Sequence, residues 1–319
     1  MTELISIIIP CYNAEDTISR AINSALSQTY SNIEIIVIDD GSTDNSLEVI
    51  KGFGEEIFWQ NVTNRGGGSA RNIGIGVANG DFVQFLDADD ELFPECVSKK
   101  MDFIRELPDF IPVCDSEDVS FDGQSRITQK HISGKEVSIE EVICTLMQFN
   151  PNIDHPLHRR PDLIEIDGFD EKLNAGQEYD LHLRLVFNGI RFRRLPEVLV
   201  KHHEVAGSIS GQGLEVVKIY GGIFRSVGSW ALDRSSTNLR KQMAYMITHN
   251  LLKRIGLGWR GNDLNSDLEL AKRLDPVEWR VAYHKRSTLH YIISYTSDPI
   301  LFEFKLRGIK KKLLGAMSF

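Results

Sequence analysis

Cysteine is scarce and scattered in this chain. Its four copies, Cys11, Cys96, Cys114 and Cys144, form no CxxC pair, which argues against a thiolate zinc site or a disulfide framework and leaves reduced core thiols as the expectation. Long apolar runs are missing too: nothing approaches the ~18 residues of a membrane span. The run ISIII meets Pro10 after only a few residues, with no basic segment before it, so no secretory leader is expected. Nor is there a surplus of positive charge. Against 36 Lys and Arg stand 45 Asp and Glu, a net charge of −9, and general nucleic-acid binding requires the opposite balance. No internal repeat or low-complexity linker interrupts the 319 residues. What remains is ordinary globular composition in a chain long enough for one large domain, or one domain plus an extension. A cytoplasmic protein is expected, at most at the inner face of the cytoplasmic membrane.

The first ninety residues alternate two periodicities. Residues 4–9 (LISIII), 33–38 (IEIIVI), 57–62 and 81–86 are apolar, β-branched or alternating segments, and continuous apolar runs suit strands covered on both faces. Between them Ile18, Ile22, Ala25 and Leu26 recur at helical spacing, and helices are predicted from Asp44 and over 69–78. Strands separated by short helices predict an α/β fold with a mostly parallel sheet joined by right-handed crossovers. In such sheets ligands bind beyond the carboxyl ends of the strands. The polar clusters Tyr12-Asn13, Asp39-Asp40 and Asp87–Asp90 all fall at such ends.

Past residue 110 the pattern loosens. The capping box SIEE at 138–141, with Val137 and Val142 as a staple, predicts a helix over 139–149. A strand before Arg159, a turn at 166–171, a helix near 178–188 and a strand near 191–195 follow. From about Gly211 the chain reads as helices, with Leu239, Met243, Met246, Ile247 and Leu251 as one stripe. The expected domains are therefore 1–210, with a change of pattern near residue 110, and a helical 211–319.

The stretch FVQFLDADDELFP crowds Asp87, Asp89 and Asp90 behind an apolar strand. Like charges that close raise one another's pKa. A helix cap would use one Asp; two at alternate positions of an extended segment would point the same way and could meet one hard, oxygen-loving cation. The sixth position of an EF-hand loop begun at Asp87 is Leu92 and the twelfth is Ser98, which excludes that motif.

In order and spacing, SIIIPCYNAE, SQTY, EIIVIDDGSTD, NRGGGSARNIGI, GDFVQFLDADDELFP, DGFDE and the segment around Glu178 resemble the family-2 inverting glycosyltransferases of the GT-A fold, over roughly residues 4–210. The resemblance implies a Rossmann-like α/β domain, with a nucleotide-binding half at about 1–110 and an acceptor-binding half at about 111–210, that takes a nucleotide-diphosphate sugar, a UDP-sugar by preference, and Mn²⁺ or Mg²⁺. It implies that Pro10, Tyr12 and Glu15 line the base pocket, that Asp40 binds the uracil-like edge, and that Arg71 lies near base or phosphates. Asp87-Ala88-Asp89 matches the DxD motif, with Asp87 on ribose or a metal-bound water and Asp89 on the ion. The general base would be Glu178, which stands where relatives carry Asp, just as Gln177 stands where they carry Glu; Asp180 is the fallback. His203 is the candidate third metal ligand, although the usual His position aligns with Val205. Such enzymes often extend saccharides or polyprenyl-linked saccharides of the cell envelope.

The remaining features have plainer readings beside these. His155 and His158 suit an acceptor site or a satisfied core. The glycines at 66–68 do not directly follow the first strand, so a dinucleotide fold is disfavoured. Residues 302–317 place Phe302, Leu306, Ile309, Leu313 and Met317 on one face and five cations elsewhere, a pattern suited to an anionic membrane surface or to a packed, solvated helix. Two rival functions are a sugar-1-phosphate nucleotidyltransferase, whose Gly-rich loop after the first strand is absent, and a decayed relative that only binds nucleotide or saccharide.

Overall fold

The computed structural model describes residues 2–129, 138–148, 150–204, 214–234, 237–256 and 263–275. The chain divides at Gly211 into two compact units.

The first unit opens as the apolar runs predict: β1 (Ile5–Cys11), α1 (Ile18–Leu26), β2 (Ile33–Asp39), α2 (Ser46–Lys51), β3 (Phe58–Asn61), α3 (Gly67–Val77) and β4 (Phe82–Phe85). Then follow β5 (Glu91–Leu92), α4 (Cys96–Glu106), β6 (Phe110–Val119), β7 (Ser125–Thr128), α5 (Ile139–Gln148), β8 (His158–Arg159), α6 (Arg160–Glu165), α7 (Gln177–Phe187) and β9 (Arg191–His203). The main sheet has the order β3-β2-β1-β4-β8. Its first four strands are parallel and β8 adds antiparallel to β4. Ile5, Ile7, Ile8 and Ile9 are fully buried, as expected of a strand covered on both faces. Pro10 is tolerated in this central strand because β4 pairs only with residues 5–8 of β1, so its missing donor costs no ladder bond on that side.

The second sheet, β5-β9-β6-β7, was not legible in the sequence. There β9 runs to His203 rather than stopping near Leu195, paired in parallel with β6 across an irregularity at Asp115. Mixed polarity, RFRRLPEVLVKHH, hides this strand from any simple alternation. The capping box is confirmed: the Ser138 N–H donates to Glu141 Oε2 (3.1 Å) and the Glu141 N–H to Ser138 Oγ (3.3 Å), while Val137 of the proposed staple lies outside the described residues. Cys11, Cys96 and Cys114 are buried and not in disulfides.

The second unit contains α8 (Leu214–Arg234), α9 (Thr237–Gly256) and α10 (Asp263–Leu274). Leu239, Met243, Ile247 and Leu251 of α9 are buried, and Met246, the fifth member of the stripe expected from spacing, is partly exposed. The basic segment 302–317 lies outside the described residues. Among those described, no helix is long and apolar enough to cross a membrane.

Candidate active site

The DADD segment forms a turn, not the extended segment that the alternate-residue reading of Asp87 and Asp89 required. β4 ends at Phe85, and the Asp90 N–H closes back on the Asp87 carbonyl at 3.1 Å. Asp favours such turns because its side chain competes with the strand ladder. The turn sends the three carboxylates to different partners. Asp87 Oδ1 accepts from Arg71 Nη2 at 2.6 Å. Asp90 is buried and takes the His203 N–H at 3.0 Å. Its burial, then the charge of Asp154, push it up to about 9. Burial and then the charge of Asp87 raise the Asp89 carboxyl, against the pull of its own backbone N–H, and the Asp89 carbonyl receives Arg20 Nη2 at 2.6 Å.

Arg71, on α3, joins the acidic turn to α7. Beyond Asp87, its Nη1 donates to Gln177 Oε1 at 3.1 Å, and its guanidinium lies 5.5 Å from the Phe169 ring centroid. Asn72, the next residue, pins the DGFDE turn: it donates to the Phe169 carbonyl at 2.9 Å and accepts the Phe169 N–H at 2.8 Å. The turn itself needs left-handed backbone at Asp167 (φ 59°) and Gly168 (φ 62°), and Asp and Gly are among the residues that adopt it most readily. Arg65 adds an ion pair to Glu171 at 2.7 Å. Glu178, in the first turn of α7, feels both Arg71 and Asp87. Burial raises its pKa, Arg71 pulls it down and Asp87 raises it again. A carboxylate, a cation and the acidic turn therefore share one electrostatic neighbourhood.

The sequence profile described as Glycosyl transferase family 2 matches residues 6–161. An uncharacterized glycosyltransferase of Rickettsia typhi, RT0329, is 30% identical over 282 residues, covering 84% of this chain and 83% of that protein. The chain belongs to glycosyl transferase family 2. An uncharacterized glycosyltransferase of Haemophilus influenzae is 45% identical over 108 residues, 32% of this chain and 43% of that protein. Among solved structures, S. aureus TarS 1-349 in complex with UDP-GlcNAc shares the fold with a TM-score of 0.66 at 19% identity, over 91% of this chain and 89% of that one. The fold is GT-A, as the sequence resemblance implied. Membership sets aside the nucleotidyltransferase alternative.

The other candidate residues of this family 2 glycosyltransferase are placed as follows. Tyr12 is half exposed at the end of β1 (50%), and Pro10 lies within that strand. Glu15 braces the loop after β2, accepting the Asn45 N–H at 2.8 Å. Both oxygens of buried Asp40 accept backbone N–H groups, Arg65 at 2.9 Å and Gly66 at 2.8 Å, so Asp40 holds the loop that leads into α3. Asp180 is tied to Arg184 Nε at 2.7 Å on the same helix. His203 Nε2 lies 2.7 Å from Glu91, away from Asp87 and Asp89 in its recorded bonds.

Its neighbour His202 faces the acids instead. Nδ1 is 3.0 Å from Asp118 and Nε2 is 2.9 Å from Asp154. Burial works against the imidazolium, yet the Asp154 charge and the two hydrogen bonds outweigh it and lift His202 to about 11. Asp154, His155 and His202 bring their ligand atoms within 4.8 Å of one another. Asp118 and Asp154 carried no signal in the sequence, because β6 and the loop before β8 are brought to β9 only by the second sheet. The donor chemistry of the Asp87–Asp89 turn, carboxylate oxygens, suits a hard divalent ion that would displace the Arg71 contact on Asp87.

Proposed function

We propose that this glycosyltransferase moves a sugar from a nucleoside-diphosphate sugar, a UDP-sugar in the first instance, to an acceptor hydroxyl with inversion. What carries the reading is the shared neighbourhood of Glu178, Arg71 and Asp87. Inverting transfer needs a base for the acceptor and positive charge for the leaving diphosphate.

In this reading Glu178 takes the acceptor proton as the hydroxyl attacks the anomeric carbon. Its desolvation suits the role, since a carboxylate held partly from water is a stronger base. Arg71 would exchange Asp87 for the diphosphate. Tyr12, exposed at the strand end, would stack on the base, with Pro10, Glu15, Asp40 and Ala88 forming the rest of that wall. Asp89, with Asp87, would hold Mn²⁺ or Mg²⁺, which supplies Lewis-acid stabilisation of the diphosphate when bound. UDP-GlcNAc is the ligand of the TarS complex, which supports testing UDP-sugars first. The acceptor is proposed to be a saccharide or a polyprenyl-linked saccharide.

The test is a thermal-shift screen of nucleotide sugars with and without Mn²⁺, followed by sugar-nucleotide hydrolysis. Metal-dependent stabilisation and slow hydrolysis, both lost in Asp89→Ala, are expected. A protein indifferent to every nucleoside diphosphate at millimolar concentration would refute the donor assignment.

A further inference from the structure

Gln177 is the first residue of α7, directly before Glu178, and both ends of its amide are engaged. Oε1 accepts from Arg71 Nη1 at 3.1 Å, and Nε2 donates to the Leu173 carbonyl at 2.6 Å. Since Arg can only donate and a carbonyl can only accept, these two bonds fix which way the amide faces. The meeting place is cleared by glycine. A Cβ on Gly68 would lie 3.0 Å from Gln177 Nε2, and one on Gly67 would lie 3.2 Å from Arg71 Nη1.

Arg71 already faces one carboxylate, Asp87, at 2.6 Å, and its side chain is only 13% exposed. Its Nε is buried with no acceptor among the described residues. The guanidinium thus holds donor capacity that the protein does not use. An amide at 177 accepts from Arg71 without cancelling its charge, whereas a carboxylate there would add a second anion to one cation.

We infer that Gln177 is a positioning residue of the transfer reaction: it anchors Arg71 through an uncharged bond, leaving the positive charge for the donor diphosphate, and joins that cation to the helix bearing Glu178. This rests on the donor and base assignments proposed above. When a diphosphate takes Nη2 from Asp87, Nη1 stays on Gln177, so the guanidinium is aimed before the ligand arrives. The base and the leaving-group cation are then held by adjacent residues of one helix turn.

The experiment compares wild type, Gln177→Glu and Gln177→Met of the full chain by UDP titration calorimetry, thermal melting and UDP-sugar turnover. Gln177→Glu keeps the bond and adds charge. Its melting temperature is expected to hold or rise while UDP affinity falls about tenfold, the scale of one charge-assisted contact. Gln177→Met keeps the volume over the glycines and loses the bond; kcat is expected to fall about tenfold with stability little changed. A purely structural role would make affinity follow stability in both variants. UDP affinity unchanged in Gln177→Glu, or falling only in step with melting temperature, overturns the inference. Wild type that binds no UDP overturns the donor assignment beneath it, a result the variants do not produce.

Discussion

His202 Nε2 lies 2.9 Å from Asp154 Oδ2, and Asp154 is itself completely buried. A carboxylate taken fully out of water must be paired, and here the partner is an imidazolium that also holds Asp118 at 3.0 Å. Asp154 is held well below the usual carboxylate range: burial opposes this, but His202 and His155 prevail. The second sheet therefore closes on a salt-bridged knot behind the acidic turn.

Removing the cation should be expensive. His202→Ala is expected to cost about 3–5 kcal/mol, the range for leaving a buried charge unpaired, read as a lower urea midpoint at pH 7. The sign follows from linkage. His202 is raised to about 11 when folded, so its contribution is complete below its unfolded value and fades as pH climbs through about 11. The difference between variant and wild type should shrink toward alkaline pH. An undiminished gap at pH 11 would count against the pairing.

Glu178 should trade stability for activity. Its folded pKa is raised, first by burial, so the folded protein is most favoured below the unfolded Glu value and loses stability as pH rises through the folded one. Ionised Glu178 is thus a net strain at neutral pH. Glu178→Gln is expected to melt higher than wild type and to lose transfer while binding nucleotide normally. The acid limb of the wild-type rate profile should fall at a higher pH than an exposed Glu would give. Normal transfer by Glu178→Gln would reassign the base.

Arg71→Lys keeps the charge but loses the fork that serves Asp87 and Gln177 at once. Because a point charge does not replace planar, two-ended bonding, a loss of about 1.5–3 kcal/mol in transition-state stabilisation is expected, roughly 10- to 150-fold in kcat/KM. Steady-state kinetics with saturating metal would measure it.

Gly74→Ala tests the packing of α3 on the sheet. The added Cβ would sit 2.4 Å from Ile8 Cγ2, too close without movement of a fully buried strand residue. A destabilisation of about 1–3 kcal/mol is expected from overpacking, seen as a lower melting temperature in a protein that still binds its ligand.

Much of the first sheet was legible because β1 and β2 bury both faces and must be continuously apolar. The capping box was legible because its two bonds are made within one helix turn. The Asp87–Asp89 geometry was not legible: two acids on an extended segment and two acids in a turn look the same in one dimension, and only the 3.1 Å closure of Asp90 on Asp87 separates them. The partners of Asp180 and His203, Arg184 and Glu91, were likewise not legible in the sequence.

Local chemistry, then, settled what the chain could say unaided: the parallel core, the helix starts, the presence of an acidic cluster after β4 and the family it belongs to. Long-range closure settled the rest. Gln177 reaches Arg71 across 106 positions and His202 reaches Asp154 across 48. Such pairs leave no periodic trace in the sequence, since their energy comes from desolvation and charge that exist only once the two sheets have formed.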